Sequence, residues 1–63
     1  MTKEQAIDKA IKMGGAYIYL SPALREWTVV SCETAHSFTA DDRMRLKLFF
    51  VTRDAKTGKA LIL

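Results

Sequence analysis

A chain of 63 residues, 49% of them apolar, makes one small domain with enough hydrophobic side chain for a core, which excludes disorder. Its one cysteine, Cys32, and one histidine, His36, exclude an intrachain disulfide and a four-ligand zinc site built by one chain. Ten Lys and Arg against seven Asp and Glu give a net charge of +3, too mild to imply a nucleic-acid partner by itself.

Residues 2–13 read as an amphipathic helix. Thr2 is a good N-cap, and Gln5 completes a capping box. Glu4 in the first turn and Lys12 in the last match the helix dipole. Ile7, Ala10 and Ile11 share one face, with Ala6 and Met13 on its flanks. Gly14 and Gly15 end the helix, because glycine accepts the left-handed backbone of a C-terminal cap. Residues 16–20 read as a strand, broken by Ser21-Pro22. A connection over 22–25 leads to a second strand over 26–33, centred on Trp27, Thr28, Val29 and Val30. Residues 34–42 are polar and aperiodic, which predicts a loop with room for a helical turn opening at Thr39, where Asp42 has the capping-box spacing.

Over residues 43–53, Met44, Leu46, Leu48 and Phe50 alternate with Arg43, Arg45, Lys47 and Phe49. A period of two predicts a half-buried strand. A helical alternative survives, since Met44, Leu48 and Val51 also fit the helical period. Residues 54–58 predict a turn with Gly58 in the left-handed position, and 59–63 return as the last strand. The fold class is therefore α+β: one N-terminal helix packed on one face of a small antiparallel sheet of three to four strands, in α-β-β-β-β order. One helix covers one face, so the other is expected to be open.

On the third strand that open face carries Arg43, Arg45, Lys47, Phe49, Val51 and Arg53. Ile18 and Leu20 suit the helix side of the first strand, which turns Tyr17 and Tyr19 outward. Trp27 is assigned to the core as the largest apolar side chain, although the alternation of its strand allows either face. The candidate partner-binding residues are Tyr17, Tyr19, Arg43, Arg45, Lys47, Phe49 and Arg53. Such a face suits a protein hot spot, or rings that stack on bases while cations follow phosphates. The plainer alternative is a solvated strand face guarded by charge, with tyrosines that only cover the sheet.

Catalytic chemistry is not expected. Cys32, His36, Ser37, Asp41 and Asp42 supply the residue types of a triad within eleven residues, but neighbours on an extended segment point to opposite sides. Cys32 and His36 could share a metal only if their segment were helical and a second chain added ligands. Asp41-Asp42 has no calcium-loop pattern around it. Thr57-Gly58-Lys59 lacks the first glycine of a phosphate-binding loop. No cofactor or metal is therefore expected.

The free thiol, the charged N-terminal segment and apolar runs no longer than the five residues Ala16–Leu20 predict a cytoplasmic protein without a membrane partner. The aromatic and glycine motif of RNA-recognition motifs is missing, as is the second helix that ends double-stranded-RNA-binding domains. The leading expectation is a small non-enzymatic binding protein, an inhibitor or regulator of the kind phages and mobile elements encode. It would engage a protein partner through its open sheet face or a strand edge. The alternative is a nucleic-acid-binding module on the same face, and a homodimer through an exposed strand edge is also open.

Overall fold

In a computed structural model describing residues Met1–Leu63, the chain opens with α1 (Lys3–Lys12), capped as its sequence requires. Thr2 Oγ1 accepts from the Gln5 amide at 3.2 Å, and Gln5 Oε1 accepts from the Thr2 amide at 2.9 Å. At the other end the Gly14 amide donates to the Ile11 carbonyl and the Gly15 amide to the Ala10 carbonyl, both at 3.0 Å. These two bonds form a Schellman stop, and Gly14 takes the left-handed φ of 81° it needs. Gly15, at φ 116°, is constrained further: a Cβ there would lie 3.2 Å from Phe50 Cζ.

The strands β1 (Ala16–Ser21), β2 (Glu26–Val30), β3 (Phe49–Arg53) and β4 (Ala60–Ile62) form one antiparallel sheet in the order β2-β1-β3-β4. The α+β class expected from the sequence is the class observed. The loop between β1 and β2 closes when the Arg25 amide donates to the Ser21 carbonyl at 2.7 Å, with Arg25 itself left-handed at φ 54°. Gly58, at φ 72°, closes the β3–β4 turn as predicted, its amide donating to the Asp54 carbonyl at 2.7 Å. On the outer edge of β2, the Trp27 amide donates to the Met1 carbonyl at 3.1 Å. No helix is long and apolar enough to cross a membrane.

The core lies between α1 and the inner strands. Ala6, Ala10, Ala16, Ile18 and Val51 are fully buried, flanked by Ile7, Ile11, Trp27 and Val29. The alanines allow the helix backbone to approach the sheet closely, so Ile18 and Val51 are the largest side chains removed completely from water. Each contributes roughly 1.5–3 kcal/mol of hydrophobic stabilisation.

The segment between β2 and β3 departs from the sequence expectation. The second strand stops at Val30, because Ser31 Oγ caps a helix, α2 (Cys32–His36), accepting from the Thr34 amide at 3.2 Å. Residues 43–48 are not strand. The turn anticipated at Thr39 grows into α3 (Ala40–Arg45), with Thr39 Oγ1 accepting from the Asp42 amide at 3.2 Å. Asp41 and Asp42 in its first turn and Arg43 and Arg45 in its last suit the dipole, and these local terms outweigh the alternation of period two.

The parity of β3 is also opposite to expectation. Phe49 pairs with Ile18 and Val51 with Ala16, so both face α1, whereas Phe50 pairs with Tyr17 on the other side. Nor is that other side bare. There α2 lies against β1 with Ala35 buried, and the Phe38 ring meets Tyr19 edge-on at 6.4 Å.

Candidate interaction surface at one end of the sheet

The antiparallel register gathers three large apolar side chains at the end of the sheet where β1 finishes and β2 and β3 begin. Leu20 pairs with Trp27 and Ile18 with Phe49, so Leu20, Trp27 and Phe49 share the α1 side. In α1 the buried side chains are Ala6 and Ala10, too short to reach over all three. Leu20 stays 52% exposed and Phe49 37%. The Trp27 and Phe49 rings stand 6.4 Å apart at 44°, and Lys3 Nζ lies 5.5 Å from the Trp27 ring centre. With Arg45 and Lys47 the three side chains line a hollow of about 290 Å³.

A larger hollow, about 530 Å³, opens towards α2 and is lined by Tyr17, Arg43, Leu46 and Leu48, among others. Lys47 and Phe49 line both hollows, so the connector from α3 to β3 stands between them. Arg43 Nη2 donates to the Ala35 carbonyl at 3.4 Å, which ties α3 to α2. Arg45 Nη2 meets Asp42 Oδ1 at 2.9 Å. The Arg45 guanidinium first, and the Thr39 hydroxyl second, hold the Asp42 carboxyl below its ordinary pKa. Lys3, Arg43 and Lys47 take part in no ion pair.

The seven residues singled out from the sequence thus do not share one flat face. Tyr17, Arg43, Lys47 and Phe49 meet at the larger hollow, and Arg45 joins Lys47 and Phe49 at the smaller. Tyr19 is half-buried against Phe38. Arg53 stands at the far end of β3, opposite Ala60, and belongs to neither hollow. Leu20 and Trp27 were missed, Leu20 being expected on the helix side and Trp27 in the core. The signal for them is the alanine-rich face of α1, which has little side chain to spread over a Trp, a Phe and a Leu.

Elsewhere the chemistry is sparse. Cys32 and His36 are four apart on α2, but Cys32 Sγ turns towards the Gly15 carbonyl at 3.9 Å. No three His, Cys, Asp or Glu side chains stand close enough together to hold a metal ion. The arrangement at the sheet end is suited to binding, with an apolar floor and a cationic rim. No protein-family model, curated protein or solved structure matches the chain.

Proposed function

We propose that this chain is a small non-enzymatic binding protein, an inhibitor or regulator, that engages a protein partner through the Leu20, Trp27 and Phe49 end of its sheet. The observation that carries the proposal is a hollow in which the exposed Leu20 and Phe49 and the half-buried Trp27 meet beside Arg45 and Lys47. A tryptophan with arginine at the rim is the composition of an interface hot spot. The free thiol of Cys32 supports a reducing, cytoplasmic setting.

A protein partner is favoured over a nucleic acid because the tyrosine rings are engaged internally. Tyr17 packs on Phe50 with ring centres 5.1 Å apart, and Tyr19 packs on Phe38. The test is crosslinking capture from the native cell, comparing wild type with Leu20→Ala and Phe49→Ala. The expected result is a partner recovered by wild type and lost with both folded variants; equal recovery by all three rejects the site. Oligonucleotide binding that weakens by roughly one power of salt per phosphate contacted would instead favour nucleic acid.

A separate observation supports pairing with a second copy. Ala60, Leu61 and Ile62 of edge strand β4 are all exposed. The Leu63 amide donates to the Phe50 carbonyl and the Asp54 amide to the Lys59 carbonyl, at 2.9 and 2.8 Å. Alternation from those bonds directs the N–H and C=O of Ala60 and Ile62 away from β3. An antiparallel pairing of two copies centred on Leu61 sets Ala60 of each against Ile62 of the other, so the edge is self-complementary.

A further inference from the structure

We infer that the segment received at this end of the sheet is acidic: a stretch of partner chain with carboxylates around one bulky apolar side chain. The inference rests on the protein-binding reading above and adds the partner's chemistry to it.

The charge distribution carries the argument. The chain holds seven carboxylate side chains, yet none lines either hollow. Arg43, Arg45 and Lys47 do, and Lys3 stands over the Trp27 ring. Of these four cations only Arg45 has a carboxylate partner, and its side chain is still 75% exposed. A molecule of net charge +3 therefore concentrates four cations about the two hollows that meet at Phe49: Arg45 and Lys47 on the smaller, Arg43 and Lys47 on the larger, and Lys3 beside Trp27.

Covering these two hollows with a neutral or basic surface strips water from Lys3, Arg43 and Lys47 and gives them no carboxylate in return. Carboxylates on the incoming segment replace the lost water with charge-assisted hydrogen bonds. The smaller hollow selects the apolar part: Trp27, Phe49 and Leu20 leave room for one large side chain between the cations. Phosphates would also satisfy the cations, but these sit on both sides of Phe49 and do not follow a single track. The leucines Leu20, Leu46 and Leu48 between them offer a base no hydrogen bonds.

The experiment is selection of a random displayed-peptide library on the whole immobilised chain, run beside Lys47→Glu, Phe49→Ala and Leu20→Ala. Circular dichroism checks the fold of each variant. Enriched peptides, and a single-stranded oligonucleotide of similar length, are then titrated by fluorescence anisotropy. The expected pool is rich in Asp and Glu around one Leu, Phe, Tyr or Trp. Its affinity should fall about tenfold with Lys47→Glu, since one exposed attraction becomes a repulsion. It should fall further with Leu20→Ala, which removes a mostly exposed side chain and spares the core.

A pool without acidic bias that still needs Leu20 or Phe49 overturns the acidic inference and leaves the protein-binding reading standing. A pool indifferent to all three variants, or no enrichment, overturns both. An oligonucleotide that outbinds every peptide overturns both in favour of nucleic acid.

Discussion

Replacing Ile18 with alanine probes how so small a core holds the sheet. Ile18 is fully buried, and its fully buried neighbours are Ala6, Ala10, Ala16 and Val51. Three of these four are alanines, with no side-chain torsion to fill a hole, so closure falls to Val51, to the flanking Ile7, Ile11, Trp27 and Val29, or to a shift of α1. Truncation of a buried isoleucine costs about 2–5 kcal/mol, with the larger values where the cavity cannot collapse. A loss of about 4 kcal/mol is expected here. At about 0.05–0.15 kcal/mol per residue, a chain of 63 residues has roughly 3–9 kcal/mol of stability in total. The substitution should therefore lower the folded-to-unfolded ratio roughly a thousandfold, at about 1.4 kcal/mol per factor of ten. Urea unfolding followed by Trp27 fluorescence measures it, with Ile18→Val as the graded control at about 0.5–1.5 kcal/mol. A loss below about 1 kcal/mol with an unchanged urea dependence would mean that α1 or the flanking side chains close the hole freely and that Ile18 does not anchor a rigid core.

The same unfolding assay should separate the two glycines that follow α1. Gly15→Ala forces a residue into φ 116° and sets its Cβ 3.2 Å from Phe50 Cζ, whereas Gly14→Ala meets nothing within 4 Å. The first should cost roughly 1–3 kcal/mol and the second less; the reverse order would refute the packing of Phe50 over Gly15. Asp42 makes an acid-side prediction. Its folded pKa is lowered from 3.8, so its contribution to stability is present above the unfolded value and is lost as pH falls through the folded one. The stability difference between wild type and Asp42→Asn should accordingly shrink as pH falls below about 4, and a difference that grows on acidification would contradict the Arg45 pairing. If β4 joins two copies, sedimentation should show wild-type mass rising with concentration and Ile62→Lys remaining monomeric. A wild type that stays monomeric into the high micromolar range rules that edge out.

The legible parts of the fold were those coded by local chemistry. Thr2 with Gln5, the Gly14-Gly15 stop, the break at Pro22 and the turn at Gly58 each identify themselves. Residues 43–48 misled because two local codes compete there. Met44, Leu46 and Leu48 alternate as a strand would, while Thr39, Asp42 and Arg45 encode a capped helical turn. Local hydrogen bonds and charge pairs decided the first part, and only Phe49 onwards found a strand to pair with. That late start reversed the facing of Phe49 and Phe50, since a shift of one residue exchanges the two sides of a sheet. The candidate site was legible in its residue types but not in its shape. Arg43, Arg45, Lys47 and Phe49 do lie together, yet on a helix end and a connector, and Leu20 and Trp27 entered through a register that composition does not reveal. Ser31 with Thr34, the cap of α2, was a readable signal that strand propensity in the preceding valines obscured.

The Met1 carbonyl on the Trp27 amide has a consequence for assembly. A sheet sticky along both margins can recruit copy after copy into a fibril. Here Met1 already occupies the Trp27 amide on one margin, so strand addition there must first displace it. Strand addition at the opposite margin, related by a two-fold axis, consumes both available edges in a single event. If two copies pair in this way, association ends at the dimer on that margin.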